Sequence, residues 1–173
     1  AASLSDDSIQ DSSGSSYGSG WAADNWLIRG ESVENGHLKA IFFNEDNDTV
    51  GLVFRHNGDA SFYLLGHTAD SAPPPLGRQD EPLVFLLRVV DGTPEVLAES
   101  NRSLSYDDWN TFDVLFSGDT ITVSLNDQEQ FKVTDEQLIA TGQAGFYAYN
   151  SGYESSGPKS STVFDTISVL WLD

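Results

Sequence analysis

The chain has 173 residues, with 8 Lys or Arg against 27 Asp or Glu, so its formal net charge at pH 7 is −19. This acidity argues against binding to nucleic-acid phosphates or anionic lipid surfaces, and no apolar run is long enough to predict membrane insertion. The chain has no Cys and no Met. The lack of Cys excludes disulfides and zinc–thiolate sites, and the lack of both sulfur side chains favours an oxidising, extracellular or cell-surface location.

Residues 1–20 differ in composition from the rest because Ser and Gly dominate them. Such a segment is typical either of a flexible linker or of a weak edge strand near residues 4–9. Residues 21–173 carry the apolar and aromatic side chains needed for a buried core. The sequence therefore predicts one domain over residues 21–173, preceded by the Ser/Gly-rich segment.

From residue 21 onward, short β-rich runs alternate with turn residues. The predicted strands cover residues 37–43, 49–56, 60–66, 83–90, 95–99, 110–116, 120–125, 130–133, 144–149 and 163–172. One helical turn is predicted over 135–139, and the Pro-rich stretch 68–82 is predicted as a surface loop. Many short strands with almost no helix predict an antiparallel two-sheet sandwich or a barrel.

Seven segments in chain order carry a family resemblance. They are DTVGLVFR at 48–55, FYL at 62–64, LRVVDG at 87–92, WNTF at 109–112, GDTITV at 118–123, GQAGF at 142–146 and FDTISV at 164–169. Together they resemble the concanavalin A-like lectin/glucanase family, and most of all its laminin G-like and thrombospondin C-terminal-like members in secreted bacterial proteins. The resemblance implies an all-β, two-sheet antiparallel jelly-roll β-sandwich, but this fold hosts many functions.

Two calcium sites are predicted. The acidic turn that holds Asp46 and Asp48 offers the hard oxygen ligands that calcium prefers, although an acidic hairpin tip without an ion explains it equally well. The family resemblance implies a second site, formed by Asp165, the carbonyl of Gly36, and Asp24 or a neighbour. Asp165 lies between apolar residues, so it needs a partner if it is buried, either a cation or backbone N–H groups.

A carbohydrate-binding surface is predicted from arginines and tyrosines on the strands. Alternation along 49–56 directs Val50, Leu52 and Phe54 to the core and leaves Arg55 on the opposite sheet face. Flat aromatic rings and planar polar groups suit the faces and hydroxyls of a sugar. The candidate ligand-binding residues are Arg55, Tyr63, Arg88, Tyr147, Tyr149, Asn150 and Tyr153.

Less specific explanations exist for the same residues. Arginines between apolar residues also pair with acids, and tyrosines are common on sheet faces. The tryptophans at 21, 26, 109 and 171 are predicted to pack in the core or at sheet edges.

No catalytic pattern emerges from the sequence. The Glu-x-Asp-x-x-Glu arrangement of the laminarinase-type enzymes is absent, as is the Gln-x-His pair of the alginate lyases. The predicted function is a non-catalytic, calcium-stabilised, lectin-like module that binds glycan, within a larger extracellular bacterial adhesin or polysaccharide-active protein. The alternatives are a calcium-binding spacer of an adhesin without any ligand, and a polysaccharide hydrolase or lyase.

Overall fold

The structure, a computed structural model, describes residues 9–10, 25–44, 49–57, 61–69, 71–73, 75–79, 81–105, 107–137, 141–149 and 161–171. Every regular element in these ranges is a β-strand. The strands are β1 Ile9–Gln10, β2 Asn25–Val33, β3 Gly36–Asn44, β4 Thr49–His56, β5 Phe62–Thr68, β6 Ser71–Ala72, β7 Gly77–Arg78, β8 Leu83–Val90, β9 Thr93–Ser100, β10 Asp108–Ser117, β11 Thr120–Leu125, β12 Gln128–Thr134, β13 Gly142–Tyr149 and β14 Ser161–Trp171. A search of the same ranges finds no helix long and apolar enough to cross a membrane.

Two antiparallel sheets of six strands each form the body of the domain. The first sheet has the order β1-β14-β3-β10-β11-β12 and the second sheet has the order β2-β13-β4-β5-β8-β9. A separate two-stranded hairpin, β6–β7, lies between β5 and β8 in the chain. The predicted two-sheet antiparallel sandwich is confirmed.

The inner faces of the two sheets enclose the main core. On β3 and β10 the alternate residues Leu38, Phe42, Phe112 and Phe116 are buried, and the rings of Phe42 and Phe112 stack with centroids 4.7 Å apart. Each such side chain contributes roughly 1.5–3 kcal/mol through removal of its apolar surface from water. The prediction that Val50, Leu52 and Phe54 enter the core is confirmed as well.

The central strands β4, β5 and β8 of the second sheet are buried on their other face too, so all seven residues of β5 are buried. We call the apolar group on that face the outer cluster. It consists of Val53, Phe62, Leu64, Ala72, Leu83, Phe85, Leu87, Val89 and Tyr147. Ala72 of β6 belongs to it and Leu76 packs against it. The Pro-rich loop predicted to lie on the surface therefore folds back onto the second sheet.

The structure differs from the sequence-based expectations, or adds to them, in three local segments. Of the helical turn predicted over 135–139, residues 135–137 form an irregular segment in which the Asp135 carboxylate accepts a hydrogen bond from the backbone N–H of Gln137 at 3.1 Å, and residues 138 and 139 lie outside the described residues. Strand β2 was not among the predicted strands. Within the Ser/Gly-rich segment, Ile9 and Gln10 pair with β14 at the edge of the first sheet.

Candidate functional site

Arg55 is the extra residue of a β-bulge in β4, so the alternation assumed for it from the sequence fails. Phe54 and Arg55 together lie opposite Ala144 of β13, and Arg55 has a φ of +51°. The left-handed backbone breaks the regular alternation of side chains between the two faces. The predicted outward position of Arg55 is wrong, because its side chain is only 1% exposed.

The Arg55 guanidinium joins two turns at one end of the sandwich. Its Nε and Nη2 donate to the carbonyl oxygen of Glu34 at 3.0 and 2.7 Å, and Nη2 also donates to the carbonyl oxygen of Gly118 at 2.7 Å. Its Cζ lies 5.2 Å from the ring centroid of Phe116. Burial lowers the pKa of Arg55, and nearby groups such as Tyr63 partly oppose this effect. These contacts stabilise the fold and do not present the side chain to a ligand.

Tyr63 and Arg88 meet at a buried carboxylate. Asp135 follows the last residue of β12 in the first sheet, whereas Tyr63 and Arg88 belong to the second sheet. The Tyr63 hydroxyl donates to Asp135 Oδ2 at 2.9 Å, Arg88 Nη1 donates to Asp135 Oδ1 at 2.5 Å, and Arg88 Nη2 pairs with Glu95. Burial, and then the bond to Asp135, raises the pKa of Tyr63.

This arrangement corrects the prediction that Tyr63 and Arg88 face a ligand. Tyr63 is fully buried and Arg88 is 7% exposed. Their polar atoms bind the protein's own acids. This agrees with the alternative given above, in which arginines between apolar residues pair with acidic side chains. The cluster of Tyr63, Arg88, Glu95 and Asp135 links the two sheets across the core.

The predicted tyrosine surface is not brought together in the described residues. Tyr147 is fully buried in the outer cluster, so it does not face solvent as predicted. Tyr149 is the last residue of β13, and its side chain is not among those described. Asn150 and Tyr153 lie outside the described residues.

The implied calcium site of Gly36 and Asp165 does not fit the strand register. Gly36 pairs with Trp171, whereas Asp165 is the extra residue of a bulge opposite Ile41 and Phe42. Five residues of strand separate the two positions, which is roughly 17 Å at about 3.3 Å per residue. Calcium binds its oxygen ligands at roughly 2.3–2.6 Å, so Gly36 and Asp165 do not share one ion.

The remaining metal candidates are untested. Asp24, Asp46 and Asp48 lie outside the described residues, and the side chain of Asp165 is not described. In the ranges that the structure does describe, no three or more His, Asp or Glu side chains come together in a way that suits a metal ion.

The first sheet presents a different surface to solvent, which we call the outer face. It is formed by His37, Lys39, Ile41, Phe43, Trp109, Thr111, Asp113, Leu115, Ser168 and Leu170. Among the described side chains, the large exposed hydrophobic ones are Trp109, Leu115 and Leu170, and all three belong to this face. Apolar side chains concentrated on one exposed face are typical of a binding surface.

Trp109 is the most prominent residue of the outer face. It is 50% exposed, and its ring meets the ring of Phe43 edge-on, with centroids 5.4 Å apart and an interplanar angle of 69°. The carboxylate of Asp108 accepts a hydrogen bond from the Trp109 N–H at 2.8 Å. Trp109 was predicted to pack in the core or at a sheet edge. The core position is wrong, because the side chain is 50% exposed, and at Trp109 the strand pairs with β3, whereas its pairing with β11 begins at Phe112.

The sequence did contain a signal for this exposed tryptophan. On β10 the buried residues Phe112, Val114 and Phe116 share one parity, whereas Trp109 and Leu115 have the other. Period-two alternation places the second set on the solvent side of the sheet. The phase of the strand, read alone, predicts that Trp109 is exposed.

Polar groups occupy the middle of the outer face. His37 Nε2 lies 2.7 Å from Asp113 Oδ1, and both side chains are partly exposed. Lys39 lies directly opposite Asp113 in the register of β3 and β10, and Thr111 lies between Asp113 and Trp109 along β10. The outer face thus combines a half-exposed aromatic pair with hydrogen-bonding groups on a rigid sheet.

Two turns border Trp109. Asn126, in the β11–β12 turn, donates its N–H to the Thr111 carbonyl at 2.9 Å and accepts from the Thr111 N–H at 2.8 Å through its side chain. The exposed residues Asp107 and Asp108 precede Trp109, and the exposed Asp127 follows Asn126. We call Asp107, Asp108 and Asp127 the acidic rim.

Comparison with known proteins supports the fold. No protein-family model matches the chain, and no curated protein matches it. Among solved structures, the carbohydrate-binding module CBM66 from Bacillus subtilis is similar with a TM-score of 0.67 and 17% identity, covering 84% of this chain and 81% of that chain. A tetrameric galectin from the ball sponge Cinachyrella sp. is similar with a TM-score of 0.60 and 16% identity, covering 86% of this chain and 99% of that chain.

A GH43 protein contains a similar fold. A K247S mutant of the GH43 protein BlXynB from Bacillus licheniformis has a TM-score of 0.63 and 11% identity, covering 86% of this chain but 30% of that chain. At these identities the likeness shows the fold alone, a jelly-roll β-sandwich. It does not single out laminin G-like or thrombospondin-like domains.

Proposed function

We propose that this chain is a carbohydrate-binding module that binds glycan on the outer face of the first sheet, at Trp109 and Phe43. The observation that carries the proposal is the half-exposed Trp109, which contacts the ring of Phe43 edge-on. Thr111 is the next residue on the same face along β10, and the polar groups Asp113 and His37 lie further along that face. The proposal is supported by the similarity of the fold to proteins named as a carbohydrate-binding module and as a galectin.

The chemistry of the surface suits a sugar. A pyranose or furanose ring presents C–H groups that stack on an indole ring, while its hydroxyls need donors and acceptors nearby. An aromatic contact of this kind contributes about 0.5–1.5 kcal/mol beyond the area it buries. One exposed tryptophan therefore gives weak binding to a short glycan, and avidity from neighbouring modules would strengthen it.

A matched pair of variants on β10 tests the site. Trp109 and Leu115 are both exposed apolar side chains of the outer face and belong to neither buried cluster, so replacing either with Ala leaves the core packing in place. We expect Trp109→Ala to weaken binding at least about tenfold, because the stacking contact and its buried area are lost, and Leu115→Ala to leave it unchanged. Affinity electrophoresis in gels that contain different polysaccharides measures both, with thermal melts to verify folding.

The possible results separate the hypotheses. Equal binding by wild type and Trp109→Ala would place the ligand elsewhere. If no polysaccharide retards the wild-type protein, the function is more simply that of a spacer without a ligand, and if the Leu115 variant is the weaker one, the site lies at the other end of the face.

The other parts of the proposal rest on the sequence. We propose that the module is non-catalytic, that it belongs to a larger extracellular protein of a bacterium, and that calcium binds at the acidic turn of Asp46 and Asp48. An assay for new reducing ends on several polysaccharides tests for hydrolase activity. The match to the GH43 protein spans 30% of that enzyme, so it does not transfer the enzyme's activity to this chain.

A further inference from the structure

We infer that the glycan bound at Trp109 is uncharged, and that the acidic rim discriminates against glycans that carry carboxylate or sulfate groups. The inference rests on the proposed function, because it concerns the ligand class of the same surface. It is carried by the charges that surround Trp109 on the described residues.

The acidic rim places negative charge at the end of the outer face where a sugar would stack. Asp108 is adjacent to Trp109, and its carboxylate accepts a hydrogen bond from the backbone N–H of Trp109 at 2.8 Å. Asp107 precedes Asp108. Asp127 is in the turn whose Asn126 exchanges two hydrogen bonds with Thr111, two residues beyond Trp109. All three rim carboxylates are on exposed residues at this end of the sheet. Asp108 has the strand parity opposite to that of Trp109, so its charge acts on a stacked ligand through solvent at the end of the strand and not by contact.

The basic side chains of the outer face do not offset this charge. Lys132 of β12 lies opposite Thr122, which lies opposite Leu115, so it is six strand residues away from the level of Trp109. His37 is hydrogen-bonded to Asp113, and Lys39 lies opposite Asp113 in the strand register, several residues along β3 from Phe43. The two arginines that the sequence suggested for ligand binding, Arg55 and Arg88, are buried against internal acceptors. In the described part of the chain, the surroundings of Trp109 are therefore negative.

The expected loss of affinity for an anionic glycan is modest but measurable. Three carboxylates at a distance on the order of 10 Å from a stacked uronate weaken its binding about fivefold at an ionic strength of roughly 10 mM, and much less at roughly 0.5 M, where the Debye length is shorter than the separation. The net charge of −19 also repels an anionic ligand over a longer distance.

The test uses one polysaccharide in two forms. A neutral polysaccharide that binds the wild-type protein is oxidised at part of its primary hydroxyls, so that the same backbone carries carboxylates. Binding of both forms is measured by calorimetry at low and high salt. We expect the oxidised form to bind about fivefold more weakly at low salt, and the difference to shrink at high salt.

A variant without the three rim charges separates their effect from other causes of weaker binding. The triple change Asp107→Asn, Asp108→Asn and Asp127→Asn keeps side-chain shape, and Asn tolerates the positive φ values of Asp107 and Asp127. Asn at position 108 still offers an oxygen to the Trp109 N–H. We expect the variant to bind the neutral form as the wild type does, and to recover most of the lost affinity for the oxidised form at low salt.

Each contrary result has a distinct meaning. Tighter binding of the oxidised form, weakened by salt and by Lys39→Gln, would overturn the inference and show an anionic ligand. A loss that neither salt nor the triple variant relieves would mean that a hydroxyl contact, and not charge, excludes the oxidised form, which also overturns it. Failure of every neutral polysaccharide to bind would refute the proposed function itself.

Discussion

Buried His67 makes the stability of the domain depend on pH in the mildly acidic range. Its side chain is 1% exposed on β5, and its Nε2 lies 3.0 Å from the carbonyl oxygen of Arg102. Because a carbonyl only accepts, Nε2 carries the proton of the neutral ring. The other nitrogen, Nδ1, has no hydrogen-bond partner among the described residues, so a second proton there would be buried without an acceptor.

Burial lowers the pKa of His67 from 6.5 to about 4. Between these values the unfolded chain binds a proton that the folded chain does not, so the free energy of unfolding falls as the pH falls from 6.5 to 4. At about 1.4 kcal/mol per pKa unit, the full loss is about 3 kcal/mol, of which about 2 kcal/mol falls between pH 7 and pH 5.

Urea unfolding of the wild type and of His67→Gln at pH 7 and pH 5 measures this effect. The Gln amide donates to the Arg102 carbonyl but does not titrate, and the contributions of the many carboxylates cancel between the two proteins. We expect the free energy of unfolding of His67→Gln, minus that of the wild type, to be about 2 kcal/mol higher at pH 5 than at pH 7. A difference that stays constant with pH would refute the reasoning.

Two further predictions concern the sheet linkage and the metal. Asp135→Asn is expected to lower the free energy of unfolding by about 3–5 kcal/mol, because buried Arg88 loses a charged partner, and a cost below about 1 kcal/mol in urea unfolding would contradict a linking role. If calcium binds the folded protein, a hundredfold excess over its dissociation constant adds about 2.7 kcal/mol, so chelator should lower the melting temperature, and an unchanged melt would contradict the proposed ion.

The strands were predictable because the alternation of apolar residues and the turn residues between the runs indicate the same strand boundaries. Residues 110–116 and 120–125 alternate cleanly, and their pairing as β10 and β11 places Val114 opposite Val123 inside the core. Strand β2 was missed, although its NWLIRGESV segment pairs with β13. Gly, Glu and Ser in its second half weaken the strand pattern, and three of its residues, 30–32, lie opposite Gln143 in a bulge.

The same alternation places Trp109 correctly on the solvent side of β10 but fails for the predicted ligand-binding residues Arg55, Tyr63 and Arg88. The bulge at Arg55 requires a positive φ, which no feature of the Arg side chain favours, so the sequence offers no signal for it. For Tyr63 and Arg88, a signal was available, since LVFLLRVV is apolar on both parities. Such continuous runs are typical of strands buried on both faces, which leaves no open face for a ligand.

The burial of the second sheet on both faces determines where a ligand has room to bind. The side chains expected to contact sugar stabilise the fold instead: Arg55 joins two turns, and Arg88 and Tyr63 meet Asp135 across the core. The outer cluster removes the apolar parts of the same sheet from water. The outer face of the first sheet is the surface on which the described residues leave a large aromatic ring half exposed. That ring already packs edge-on against Phe43 of the neighbouring strand β3, and a contact made before the proposed glycan binds reduces the entropic cost of binding.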